Sequence, residues 1–173
     1  MERKTIWSEA GMPGLVLGLA TAACFYLTSL FAKPLLSTII WIVKFGGCIY
    51  LMYLFMKKFV SIHDEATNKD SFRFGVVLAL LSAFIFSILY YVYVVYVKPG
   101  IFDTALSTVM DSYGSMLDSN SIEQLENLMP KLPEISLLAN FFYCFIYGTI
   151  VSAIISRSVP SSNPFDNHSI DEQ

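Results

Sequence analysis

The sequence predicts an all-α integral membrane protein, a four-helix bundle with two short amphipathic helices in its outer loop. Three observations carry that prediction. Of 173 residues, 55% are hydrophobic and only 14% charged, whereas charged residues make up about a quarter of a soluble domain. The mean hydropathy is accordingly high, at +0.58. Four apolar runs each reach the roughly 17 to 25 residues that a helix needs to cross a bilayer, and together they take up about half of the chain. Between the third and fourth runs the pattern becomes amphipathic, with apolar residues at helical spacing and carboxylates off that stripe. Little length is left for a soluble catalytic domain of ~100 residues or more. The net charge of −3, with 11 basic residues scattered over several loops, gives no stripe to track a phosphate backbone, so no nucleic-acid partner is expected.

The four-span domain is expected over residues 1–157. Its first span, 11–31, is read as a retained helix, because no small-x-small cleavage site precedes a polar mature region. It carries a ridge of small residues at four-residue spacing, Ala10, Gly14, Gly18 and Ala22. Lys33-Pro34 predicts a tight turn into the second span, 35–56. A charged loop follows, containing His63-Asp64-Glu65, and then the third span, 74–97, with Gly75, Ala79, Ala83 and Ser87 on one ridge. Residues 98–134 form the outer loop. There Leu106, Val109, Met110, Tyr113 and Leu117 predict one short helix with Asp103 at its N-cap, and Ser121 with Gln124 predicts a capping box for a second. The last span, 135–155, bears Ser136, Asn140, Cys144, Gly148, Ser152 and Ser156 at four-residue intervals. Residues 158–173 are too polar to fold alone and are expected to form a disordered cytoplasmic tail.

Helices in lipid associate by close approach at small residues. Gly14, Gly18, Gly75, Ala79, Ala83, Gly148 and Ser152 are therefore the expected packing positions, first against one another in a single bundle and otherwise against a homo-oligomer or a membrane-protein partner. Sidedness follows from basic residues, which stay on the cytoplasmic side during insertion. Arg3, Lys4, Lys57, Lys58, Lys69, Arg73 and Arg157 lie on one side and Lys33, Lys98 and Lys131 on the other. Both termini are thus expected in the cytoplasm.

Lys44 stands near the middle of the second span with apolar neighbours and no acidic residue in the centre of any span. An ionisable group at that depth costs about 2.5 to 3.5 kcal/mol on insertion scales and is a functional candidate for that reason. Snorkelling along its stem is the bland alternative, but Lys44 lies deeper than that stem easily reaches, and a single Lys closing a polar cluster is the plainer account. Asn140, Tyr26 and Tyr143 are at comparable depth and complete a candidate polar site, while Trp41, Gly47 and Cys48 are expected to share the inward face of the helix with Lys44. Cys24, Cys48 and Cys144 all fall inside spans and read as small packing residues, not as disulfides or metal ligands. No Walker A loop, Gly-x-Ser-x-Gly, His-Glu-x-x-His or EF-hand motif occurs, so neither catalysis nor a cofactor is expected.

Three features carry a likeness to a known family: Trp7 four residues before Gly11, leading into Gly14-Leu15 and Gly18; Ser71-Phe72-Arg73-Phe74-Gly75 opening the third span; and a long outer loop with short helices before the last span. In these the chain resembles the bacterial inner-membrane family of unknown function numbered 4199, found mainly in Bacteroidota. The resemblance extends to about Arg157 and implies a compartment and a topology, but no catalytic residues. The expectation is a non-enzymatic multi-pass protein surrounded by membrane lipid and acting through helix or envelope-protein contacts. The alternative is a small transporter or conducting element, built by oligomerisation, that uses Lys44.

Overall fold

The structure is a computed structural model that describes residues 3–30, 34–63, 66–113, 116 and 118–159. Among these residues all regular structure is helical. The elements are α1 (Arg3–Leu30), α2 (Pro34–Ile62), α3 (Asn68–Val92), a π-helical turn (Tyr93–Val97), α4 (Ile101–Tyr113), α5 (Ser119–Leu128), a 3₁₀ turn (Met129–Lys131) and α6 (Leu132–Ser158). Helices α1, α2, α3 and α6 carry four stretches long and apolar enough to cross a membrane.

The helices overrun the apolar runs that mark them. α1 starts at Arg3 and α2 continues to Ile62, because a helix does not need apolar side chains once it leaves the hydrocarbon. The expected charged loop is therefore mostly helix, with Lys57 and Lys58 on α2 and Lys69 and Arg73 on α3. Its remaining link is closed by a box at Thr67, whose Oγ1 donates to Asp70 Oδ2 at 2.8 Å while the Asp70 N–H donates back at 3.3 Å. That reciprocal cap starts α3. The Lys33 turn, Asp64 and Glu65, and the tail from residue 160 lie outside the described residues.

The chain divides into two compact units, 1–86 with 142–173, and 87–141. In the first, the small-residue ridges meet one another. A Cβ added at Gly14 would fall 2.7 Å from Leu81 Cβ, and one at Gly18 would fall 2.9 Å from Ile85 Cβ, so α1 lies directly on α3. On α3, Gly75 faces Ser152 of α6 and Met56 of α2, and a Cβ on Gly148 would come within 2.6 Å of Ala79 Cβ. Ser152 Oγ donates to the Phe72 carbonyl at 3.1 Å, a hydrogen bond from α6 to α3. α3 thus touches all three other spans. Ala79 and Ala83 are 4% and 1% exposed, and Ala10, Ala22 and Ser152 are equally buried.

The core of this unit is concentrated at one end. It is built from Ile6, Ala10 and Leu17 of α1, Met52, Met56, Phe59 and Val60 of α2, Phe74, Leu78 and Ala79 of α3, and Val151 and Ile155 of α6, with Ala66 and Val159 beside them. Phe59 stacks on Phe74 at 4.2 Å, and His63 Nε2 lies 3.2 Å from Glu9 Oε1, tying the end of α2 to α1. Val159 is 2% exposed, so the folded domain runs past the last span. Toward the other end packing loosens, and no described side chain of α2 from Leu35 to Leu51 is buried.

The second unit holds the π turn, where the Lys98 N–H reaches back five residues to the Tyr93 carbonyl at 2.9 Å. Gly100, at φ 89°, makes the bend into α4 that other residues resist. Asp103 lies in the first turn of α4 and not at its cap. The second short helix starts three residues before the expected box: Asp118 is its N-cap and accepts the Ser121 N–H at 3.1 Å. That hydrogen bond holds the exposed Asp118 carboxyl below its ordinary range.

Candidate functional site

Where the bundle loosens, the four spans enclose a cavity of about 80 Å³. α1 contributes Leu17 and Thr21, and α2 Lys44, Phe45, Cys48, Ile49 and Met52. α3 supplies Ala79, Ser82 and Phe86, and α6 supplies Tyr143, Cys144, Tyr147, Gly148 and Val151. The walls are mostly apolar or aromatic, broken by the hydroxyls of Thr21 and Ser82, and Lys44 is their single cation.

The local sequence explains this placement. One helical turn separates Lys44 from Cys48, so both share the inward side of α2, and Cys48 Sγ lies 3.4 Å from Thr21 Oγ1. Phe45 meets Tyr147 edge-on at 5.3 Å, spacing α2 from α6. Lys44 Nζ stands 5.1 Å from the centroid of the Phe86 ring and 6.0 Å from that of Phe45. It makes no ion pair among the described residues. A cation over an aromatic face is worth ~0.5 to 2 kcal/mol depending on desolvation, against about 2.5 to 3.5 kcal/mol for burying the charge at mid-membrane. The ring faces offset only part of that penalty.

Of the four residues expected to form a polar site, the structure brings Lys44 and Tyr143 to one cavity. Tyr26 is not part of its lining, and its ring lies edge-on to Phe25 at 6.0 Å. Asn140 belongs to the second unit and donates its amide to the Ser136 carbonyl, 2.9 Å away on its own helix. Lys44 thus has an aromatic face where an amide was expected. Trp41, expected to point inward, is 56% exposed. The neighbours that sequence reasoning missed are Phe86, Thr21 and Tyr147. Only Cys48, four residues from Lys44, left a signal, because the others come from different helices.

The second unit presents another surface. Neither α4 nor α5 has a buried residue, and an open cleft of about 380 Å³ is lined by Val94, Pro99, Phe102, Asp103, Met129 and Pro133 among others.

A model of a family described only as a protein of unknown function, DUF4199, matches residues 13–157. The chain belongs to the DUF4199 family. No curated protein and no solved structure matches it. The DUF4199 match takes in most of the first span, the other three to within a residue, and both surfaces, but Trp7 and Gly11 precede it. Trp7 is 51% exposed, and a Cβ on Gly11 would meet nothing within 4 Å. Of the features that suggested DUF4199, Ser71-Phe72-Arg73-Phe74-Gly75 has the clearest structural use. It places the Phe74 ring on Phe59, the Phe72 carbonyl under Ser152 and Gly75 at the crossing of α3 with α6.

Proposed function

We propose that this chain is a non-enzymatic multi-pass protein of the bacterial inner membrane that acts through contacts with envelope proteins or with further copies of itself. Both termini lie in the cytoplasm in this reading, and lipid surrounds the outward faces of the spans. The observation that carries it is the use of the small-residue ridges. Gly14, Gly18, Gly75, Ala79 and Gly148 are engaged inside the chain, while α4 and α5 keep no side chain buried. Contact then falls to the outer segment, whose Asp103, Asp111, Asp118, Glu123, Glu126 and Glu134 outweigh Lys98 and Lys131. Such a surface suits a basic partner and repels anionic lipid.

The test is photo-crosslinking in intact cells from a photoreactive phenylalanine at Val109 on α4, which is 40% exposed. Adducts of one defined protein, stoichiometric on purification, are expected. The same probe at Ile42 on α2, 60% exposed, should label lipid. Lipid adducts alone from both sites would overturn the contact reading. Lys44 in its cavity supports a second reading, an oligomeric transporter, for which Lys44→Met would abolish ion flux in proteoliposomes.

A further inference from the structure

The cavity around Lys44 has the attributes of a binding site for one kind of molecule. It is mostly apolar, it holds a single cation that lacks an ion pair among the described residues, and it lies within helices long and apolar enough to cross a membrane. Two of its lining residues are exposed, Ile49 on α2 at 39% and Tyr143 on α6 at 60%. These are the two wall residues that also reach the outside of the bundle, and their helices expose Tyr50, Ile146 and Ile150 as well, at 61%, 56% and 55%. A mouth on that side, between α2 and α6, would open within stretches apolar enough to lie in hydrocarbon. A ligand arriving by that route must itself be lipid-soluble, and the ammonium selects one with an anionic end.

We propose that this cavity binds the carboxylate end of a single-chain amphiphile, a free fatty acid in chemical class, entering sideways from the bilayer with Lys44 holding the headgroup. Size agrees with that occupant. A water needs about 10 to 15 Å³ of such space, so the cavity's roughly 80 Å³ takes a carboxylate and the first few methylenes. The rest of the chain runs out between Ile49 and Tyr143 into lipid. Phe86 and Phe45 hold the ammonium over their faces when the site is empty, and a charge-assisted hydrogen bond to carboxylate is the stronger interaction. This inference does not depend on the contact reading, since failure of crosslinking from Val109 leaves it untouched.

Trp41 serves as the reporter. It lies three residues before Lys44, its ring is 4.4 Å from Phe45, and the chain has two tryptophans, so Trp7→Phe leaves Trp41 alone. The full chain carrying that change, in dodecylmaltoside, is titrated with 2-bromododecanoate, whose bromine sits beside the carboxylate and quenches indole. Saturable quenching is expected. Lys44→Met should raise the half-saturation concentration about tenfold or more, and Lys44→Arg should restore most of the affinity. Ile49→Phe narrows the mouth from an exposed position while keeping the charge, and should weaken quenching likewise. It decides the matter if Lys44→Met fails to fold, because unchanged binding there would overturn the proposal. Equal quenching by the neutral methyl ester, or by Lys44→Met, would show partition into the micelle and defeat it. Equally tight binding of 2-bromobutanoate would reveal an anion site that ignores the chain and would also defeat it.

Discussion

Two buried serines at the start of α3 and the end of α6 have opposite prospects. Ser152 Oγ bridges α6 to the Phe72 carbonyl at 3.1 Å, whereas Ser71 Oγ is buried without a partner among the described residues. Hydrogen bonds between membrane helices contribute about 0.6 kcal/mol on average, and an unpaired buried hydroxyl is a burden that removal relieves. Ser152→Ala should therefore lower stability by roughly that amount, while Ser71→Ala should leave it unchanged or raise it. Thermal unfolding in detergent would separate them, and an equal loss from both would show that Ser71 has a partner of its own. Lys44 illustrates what one residue discloses in sequence. Its depth in α2 was legible, because a lone Lys in an apolar run stands out. Its contact with Phe86 was not, because nothing distinguishes that phenylalanine from the other aromatics of α3.

At the scale of the element, the ridges of α1 and α3 were legible because small residues are the only interior signal a span retains. The outside of a membrane helix is as apolar as its inside, so hydrophobic periodicity fades and a run of Gly or Ala every fourth residue remains. α2 lacks such a run, and its inward face was accordingly misread at Trp41. The same reasoning predicts how α3 tolerates bulk. Ala83 is 1% exposed and Ile88 41%, so Ala83→Leu should overpack the bundle at about 1 to 3 kcal/mol. Ile88→Phe should be nearly silent. Equal melting temperatures for the two variants would mean that the Ala83 face of α3 is not a packing face. Helix caps were less legible than ridges. Any of several polar residues before α5 could have started it, and Asp118 does so, with its own backbone extended and its carboxylate accepting the Ser121 N–H.

For the whole molecule, one crossing for each of the four apolar stretches would put both ends of the described chain on the same side. The preponderance of basic residues at Arg3, Lys57, Lys58, Lys69, Arg73 and Arg157 assigns that side to the cytoplasm in the proposed orientation. Single cysteines in a background with Cys24, Cys48 and Cys144 replaced would test it. A cysteine at Asn120 on α5 should react with an impermeant maleimide in intact spheroplasts, and one at Asn68 at the start of α3 only after permeabilisation. Labelling of both from outside would reject the orientation and the four crossings together. The position of α3 between its neighbours also has a consequence for biogenesis. α1 and α2 leave the ribosome first, yet the surfaces that Gly14 and Gly18 require, Leu81 and Ile85, are each synthesised 67 residues later. Until then the nascent pair must wait in the translocon or in lipid with its closest-packing face uncovered. A stall or truncation before α3 would leave an inserted but unassembled intermediate, the form that membrane quality-control proteases recognise.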